Sequence, residues 1–338
     1  MEGLHDGVGD IFTEIDPDIM RSEFHKKPRG LVNKLTTVAD AVQNYIPDGM
    51  YLASGGFGGI RISTAILHEI VRRKRKNLGF SGHTATHDCQ ILSAGECFDR
   101  CDIAYVIGLE LRGLSAQSRR YFESGKVKTV EWTNAALAWR YRAAAMGVSF
   151  LPTRVMLGTD TGKYSAAKVI ECPFTKKKYY AVPALYPDVA IIHVHRADIY
   201  GNCQVDGHMI ADLDLSMAAK SVIITTEKIV HNDVIRAHPD RTSIQGYNVD
   251  AVIEVPFGSY PAEMPYLYYS DEKHIHEWLD AENDPKTLHA FLDKYIFGTK
   301  DFGEYLELCG GKNRMTELQR EMAFMHVKEM HEKETESA

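Results

Sequence analysis

The chain has no apolar run near the ~18 residues that a membrane span requires, so no transmembrane segment is expected. It also lacks a surplus of positive charge. With 39 Lys and Arg against 46 Asp and Glu, the formal net charge is −7, which disfavours a nucleic-acid partner bound through its phosphates. Six cysteines are present, yet none forms a C-x-x-C pair. Their scatter matches no disulfide framework and no zinc motif, and reduced thiols explain them more simply. The acidic start (Glu2, Asp6, Asp10, Glu14, Asp16) lacks the charged head and apolar run of a secretory leader. A cytoplasmic protein with no membrane partner is expected. Catalytic signatures are scarce as well. No G-x-S-x-G elbow is present, and no glycine run ends in Gly-Lys-Ser/Thr.

What is present is alternation. The 338 residues are 44% hydrophobic and 25% charged, enough for one large α/β domain or two small ones. Thr37 can cap a helix through Val38, Ala39, Val42 and Tyr45, ending at the turn Pro47-Asp48-Gly49. Met50–Ala53 reads as a short strand, and Ser63 opens a helix carrying Ile66, Leu67, Ile70 and Val71 at helical spacing. Further strand-like runs are Leu78–Phe80, Ile103–Ile107, Val127–Trp132, Phe150–Met156, Val189–Val194, Ser221–Thr225 and Ala251–Val255. Helical patterns Ser118–Ser124 and Asn134–Met146 end before Gly125 and Gly147, the usual stop residue. Strands alternating with helices predict a mostly parallel sheet with helices on both faces.

Residues 1–30 lack periodicity and read as an extension that wraps a partner or stays mobile. Residues 31–311 form the body. Residues 312–338 form a C-terminal tail with an amphipathic helix, apolar at Leu318, Met322, Met325, Val327 and Met330.

Between the first strand and its helix lies Ser54-Gly55-Gly56-Phe57-Gly58-Gly59. Glycines permit positive φ and close backbone approach. At a helix N-terminus such a loop directs free N–H groups at an anion or a developing oxyanion. The stretch departs from the Rossmann G-x-G-x-x-G, because Arg61 holds the last glycine place. A binding loop and a tight structural turn both remain open. Arg61 can recognise a carboxylate or a phosphate through its guanidinium, although a surface salt bridge would use it nearly as well. Ser81 and Gly82, after the next strand, would face the same crevice.

The histidine pairs His83/His87 and His193/His195 have spacings that can point both rings one way. No Glu or cysteine cluster joins them, so no metal site is expected. Glu123-Ser124-Gly125 closes a helix and offers no nucleophile. The segment Tyr260–Tyr269, acidic and aromatic, can line a pocket or an interface. A binding loop without an attacking group is the outcome.

Asp48-Gly49-Met50-Tyr51-Leu52-Ala53-Ser54-Gly55-Gly56-Phe57 resembles the α-subunit signature of class I coenzyme A transferases, most closely the glutaconate CoA-transferase branch of that α-subunit family. Supporting stretches recur in order: Arg119–Lys126, Ala143–Gly147 with Phe150-Leu151-Pro152, Asp188–His193, Ala197–Asn202 and Val249–Val252. The likeness covers roughly residues 35–310. The family's Gly-x-Pro after the loop is replaced by Arg61-Ile62-Ser63, which still suits a helix start.

The resemblance implies the open-sandwich (NagB/RpiA/CoA transferase-like) fold. It implies that the nucleophilic glutamate lies on a β subunit, so this chain carries no catalytic residue. It also implies ping-pong transfer of CoA, via a glutamyl-CoA thioester, between an acyl-CoA and a short-chain or dicarboxylic acid. Gly55, Gly56, Phe57, Gly58 and Gly59 would form the acyl-CoA loop, with Arg61, Ser81, Gly82 and Asn134 binding substrate. No permanently bound cofactor is implied; the CoA thioester is a substrate. Relatives on the same scaffold look like ring-opening acyl-CoA hydrolases and a decarboxylase. The hydrolase-type base would fall near Asn134, whose amide cannot abstract a proton, although a shifted register brings in Glu131. A non-catalytic assembly subunit is the remaining alternative.

Overall fold

A computed structural model of the chain describes residues 4–106 and 112–336, with side chains up to residue 325. The first four strands, β1 (Tyr51–Ser54), β2 (Leu78–Gly82), β3 (Phe98–Ile103) and β4 (Lys128–Glu131), lie side by side in parallel. The chain then builds a separate antiparallel sheet from β5 (Phe150–Thr153), β6 (Lys168–Glu171) and β7 (Lys178–Pro183). It returns as β8 (Val189–Ala197), which pairs with the free side of β1. After β9 (Cys203–Gln204) come β10 (Ser221–Ile229), β11 (Thr242–Ile244) and β12 (Ala251–Glu254). The parallel order is therefore β4-β3-β2-β1-β8-β10-β12, with β9 and β11 as a short antiparallel appendage on the end of β8.

Helices α1 (Pro17–Phe24), α2 (Val38–Tyr45), α3 (Thr64–Arg72), α4 (His87–Ala94), α5 (Ala116–Glu123), α6 (Asn134–Met146) and α7 (Asp160–Tyr164) precede β8. Helices α8 (Asp212–Ala218), α9 (Asn232–Ala237), α10 (Glu272–Ala281), α11 (Pro285–Leu292), α12 (Phe302–Leu308) and α13 (Gly311–Glu336) follow. Because side chains alternate across a strand, β8 feeds two cores. Val189 and Ile191 pack with α2, α3 and α4, whereas Ala190, Ile192 and Val194 pack with α6 and α8.

Local chemistry explains the clearest elements. The Thr37 hydroxyl accepts the Asp40 N–H at 3.1 Å and starts α2. Gly147 ends α6 at φ 67°. The cap at the start of α6 is Thr133, which accepts the Ala136 N–H, so Asn134 is the first helical residue.

Two strands differ from the sequence expectation. Of the run Ile103–Ile107 only Ile103 is strand, the last residue of β3; residues 104–106 are not, and Ile107 lies outside the described residues. The pattern misled because β3 contains Asp99, Arg100 and Asp102. Asp102 is wholly buried, where it accepts Arg140 Nη1 at 2.5 Å, Trp132 Nε1 at 2.7 Å and the Tyr51 hydroxyl. The run Phe150–Met156 gives β5, which joins the small antiparallel sheet.

The first residues pack on their own chain. Gly7 and Gly9 donate to the carbonyls of Ala167 and Ser165, both at 2.8 Å, and Met20 is buried. At the other end Met315, Leu318 and Met322 of α13 are buried, and the Leu318 carbonyl accepts the Tyr269 N–H. Met325 is exposed, and the side chains of Val327 and Met330 lie outside the described residues.

Candidate active site at the strand-order reversal

Successive strands add to one side of β1, and β8 begins the other side, so the strand order reverses between them. Open α/β sheets form their ligand crevice there, at the carboxyl ends of the strands. The glycine stretch leaves β1 at that point.

Its backbone is mostly satisfied from within. Gly55 donates to the Ile191 carbonyl (2.8 Å) and Gly56 to Asp212 Oδ1 (2.8 Å). Phe57 and Ile60 exchange both hydrogen bonds at 3.0 Å around Gly58-Gly59. Gly58 has φ 60°, as the first central residue of a II′ turn requires. Gly58 also donates to the Thr84 carbonyl, and Arg61 donates to that of Glu263, both at 3.0 Å. Among the described residues only the Gly59 N–H in this loop has no acceptor. The helix end is closed too, since the Ala65 N–H donates to the Gly258 carbonyl at 3.2 Å. Within Gly55–Gly59 the expected fan of free donors is thus one N–H, that of Gly59 at the hairpin tip, without an acceptor among the described residues.

Arg61 differs from its expected role. Its side chain is 1% exposed; Nη1 pairs with Asp212 Oδ2, and Nη2 donates to the His208 carbonyl at 2.7 Å. The guanidinium faces the protein and ties the loop to the start of α8. Gly56 explains why a side chain is excluded beside it. A Cβ there would stand 2.4 Å from the Ile60 carbonyl oxygen, at φ 82°.

Ser81 is also internal, its hydroxyl accepting from Tyr141 at 2.8 Å. Gly82 closes β2 against Asp88, whose carboxylate would lie 3.0 Å from an added Cβ. Burial pushes the Asp88 carboxyl up to about 6, opposed by hydrogen bonds from the Ser54 hydroxyl and the Cys89 and Thr86 N–H groups.

Asn134 does come to the loop. The Phe57 ring lies 5.2 Å from the His83 ring, and His83 Nε2 lies 3.0 Å from the Asn134 carbonyl oxygen, which it can reach only as a donor. His83 Nδ1, Thr84 Oγ1 and Asn134 Oδ1 are buried without partners among the described residues. Burial lowers the His83 pKa, against the Asn134 carbonyl and Asp212, which favours neutral imidazole. Three unsatisfied polar atoms beside the loop are the kind of exception that a bound molecule would explain.

The other histidines serve separate tasks. His193 bridges Thr225 Oγ1 and Glu227 Oε1, both at 2.8 Å. Glu227 also accepts the Tyr268 hydroxyl (2.6 Å) and the Phe257 N–H (2.7 Å), pinning the segment 257–268 over the loop. His195 lies 2.8 Å from the Pro265 carbonyl oxygen on that same segment. The stretch Tyr260–Tyr269 therefore forms a strap. Glu263 donates to the Gly59 carbonyl at 2.9 Å while receiving Arg61. Its carboxyl is partly buried and makes no hydrogen bond among the described residues; burial raises its pKa, Arg112 opposes this and Glu272 adds to it.

Sequence reasoning missed Asp212, Glu263 and Arg112. Arg112 is gripped along one edge by Glu272, with Nε at 2.9 Å and Nη2 at 2.5 Å from its two oxygens. Its remaining nitrogen, Nη1, would stand 2.9 Å from a Cβ on Gly59. None of these residues lies in a motif, and only distance in sequence separates them from the loop.

Comparisons with known proteins identify the family and the fold. The family model described as "Coenzyme A transferase" matches residues 35–255. An uncharacterized protein of Archaeoglobus fulgidus is 48% identical over 95% of this chain and 72% of its own length. A 3-oxoadipate CoA-transferase subunit of Pseudomonas knackmussii is 33% identical over 80% of this chain and 96% of its own. The crystal structure of glutaconate coenzyme A-transferase from Acidaminococcus fermentans superposes with a TM-score of 0.80 at 29% identity, covering 85% of this chain and 95% of that one. With its parallel sheet, its order reversal and its glycine hairpin in that frame, the chain belongs to the coenzyme A transferase family.

Proposed function

We propose that this chain is the α subunit of a two-chain CoA transferase that moves CoA between an acyl-CoA and a short-chain or dicarboxylic acid. The observation that carries the reading is the Gly59 N–H at the order reversal, which has no acceptor among the described residues, in a crevice whose carboxylates Asp88 and Asp212 are buried and engaged. Such a site can receive a carbonyl, and the attacking carboxylate comes from a partner subunit. That glutamate attacks the thioester carbon, and the C–S bond breaks to release CoA thiolate and leave a mixed anhydride. The thiolate then attacks the glutamyl carbon of the anhydride, releasing the first acid and forming the glutamyl thioester. The acceptor acid repeats these steps in reverse. Gly59 would donate to the developing oxyanion, a contact typically worth ~3 kcal/mol of barrier. Relatives named for glutaconate and 3-oxoadipate, both dicarboxylates, support the substrate class.

Incubating the co-purified complex with glutaryl-CoA and then borohydride tests this. The expected result is a reduced glutamyl residue on the partner chain. Free CoA released without an acceptor acid, with nothing trapped, overturns it. The alternative, an acyl-CoA hydrolase or decarboxylase complex, rests on Glu263. Its raised carboxyl beside Gly59, without a hydrogen-bond partner among the described residues, is placed to serve as a base for water. In that case Glu263→Gln would abolish CoA release by a hydrolase, or CO2 release by a decarboxylase.

A further inference from the structure

We propose that Arg112 is the specificity-determining residue of this site. It would take the free carboxylate of a dicarboxylic acyl group, together with the outer side of the glycine hairpin. The inference rests on the functional reading above and adds the residue that selects the substrate class.

The guanidinium is oriented before any ligand arrives. Glu272 takes Nε and Nη2 in a two-point grip, and Ser270 Oγ lies 3.2 Å from Nη2. A planar fork held along one edge has one direction left in which to bind. That remaining nitrogen, Nη1, has no hydrogen-bond acceptor among the described residues and lies against Gly59. Glycine at 59 follows from this seat, because its φ is ordinary and a Cβ would meet nothing but the Arg112 guanidinium.

The surroundings also suit a ligand oxygen. Gly59, Thr86, His87, Gln90 and Arg112 line a narrow cavity of about 20 Å³ behind the hairpin. His87 is 5% exposed and its Nε2 has no partner among the described residues, while Nδ1 sits 3.0 Å from Gln90 Oε1. A buried, unpaired polar atom beside an oriented arginine marks a place for a polar group or the water that accompanies it. Glu263 is the second acidic neighbour of Arg112. Burial and Glu272 raise its carboxyl, so it accepts a proton more readily than an ordinary glutamate as a ligand carboxylate approaches.

Arg61 does not compete for this role, because its own carboxylate partner is internal. Two arginines thus flank one hairpin, one spent on the fold and one with an open edge.

The test compares kcat/KM for glutaryl-CoA and butyryl-CoA in the co-purified complex, for the wild type, Arg112→Gln and Arg112→Lys. The glutaryl preference should fall about 100-fold in the glutamine variant, as when one partner of a charged hydrogen bond is truncated. The lysine variant, which keeps the charge but loses the fork, should lose about 10-fold. Calorimetric titration of each complex with glutarate supplies the second arm and needs no turnover. Transfer activity with an unchanged glutaryl-to-butyryl ratio overturns the inference and leaves the transferase reading standing. Glutarate binding that depends on Arg112, in a complex that transfers no CoA, supports the inference and removes the transferase reading. If the glutamine variant does not fold, the lysine variant decides, and an unchanged ratio there overturns the inference.

Discussion

The inner and outer halves of the glycine hairpin use the same residue types for opposite purposes. Inside, Gly55 and Gly56 are buried, their N–H groups go to Ile191 and Asp212, and Arg61 closes a fully internal ion pair. Outside, among the described residues, the Gly59 N–H has no acceptor and Arg112 keeps one nitrogen clear of its clamp. The difference shows that a glycine run and an arginine do not by themselves mark a binding site. What decides is whether the polar groups are already paired. The inner half holds the hairpin in place, and the outer half presents it.

The largest effect should come from breaking the inner pair. Asp212→Ala would leave Arg61 buried without a counter-charge and Gly56 without an acceptor. A loss of about 3–5 kcal/mol is expected, read as a lower denaturant midpoint. The double variant Arg61→Met with Asp212→Leu should recover more than half of it, because a paired apolar replacement removes the stranded charge. A double variant no better than the single one would show that the pair does not act as a unit.

How much of this was legible in the sequence follows the same division. Repeating local patterns revealed the strands, the caps at Thr37 and Gly147 and the position of the hairpin, because each depends on neighbours a few residues away. The strand β3 lies upstream of its expected place because Asp102 looks like a loop residue until Arg140 is known to face it. Arg61 was legible as a residue but not as a role, since its partner Asp212 lies 151 positions further on. Arg112 and Glu272 are 160 positions apart and sit in no periodic segment. Asn134 was found through family likeness, and only the fold shows that His83 connects it to Phe57.

A second break concerns a buried acid that no cation neutralises among the described residues. Asp88 lies under the loop with only N–H and hydroxyl donors, and its pKa is pushed up to about 6. A carboxyl raised in the folded state gives a stability term that is fully present below its unfolded value near 4 and lost as pH rises through about 6. At roughly 1.4 kcal/mol per unit, about 3 kcal/mol should disappear over that window. Asp88→Asn, which cannot ionise, should lack this slope and be no less stable than the wild type at pH 7. Denaturant titrations at pH 4, 5, 6 and 7 measure both. Equal slopes in the two proteins would mean that Asp88 is not the group responsible.

The smallest effect on stability should come from the outer half, at Gly59→Ala. The backbone there needs no positive φ, and the added Cβ would meet only the end of a long side chain, Arg112 Nη1 at 2.9 Å. A flexible end can move a few tenths of an ångström, so the denaturant midpoint should shift by less than about 1 kcal/mol. The same movement lifts the guanidinium off its seat, and the preference for glutaryl-CoA over butyryl-CoA should fall as it does on truncating Arg112. Gly56→Ala is the contrast. There the Cβ meets backbone oxygens at 2.4 and 2.7 Å, so the fold has to yield and stability falls by about 1–3 kcal/mol. If Gly59→Ala proves as destabilising as Gly56→Ala, the outer half is structural after all. If it is stable and the substrate ratio holds, the contact between Arg112 and the hairpin has no part in selection.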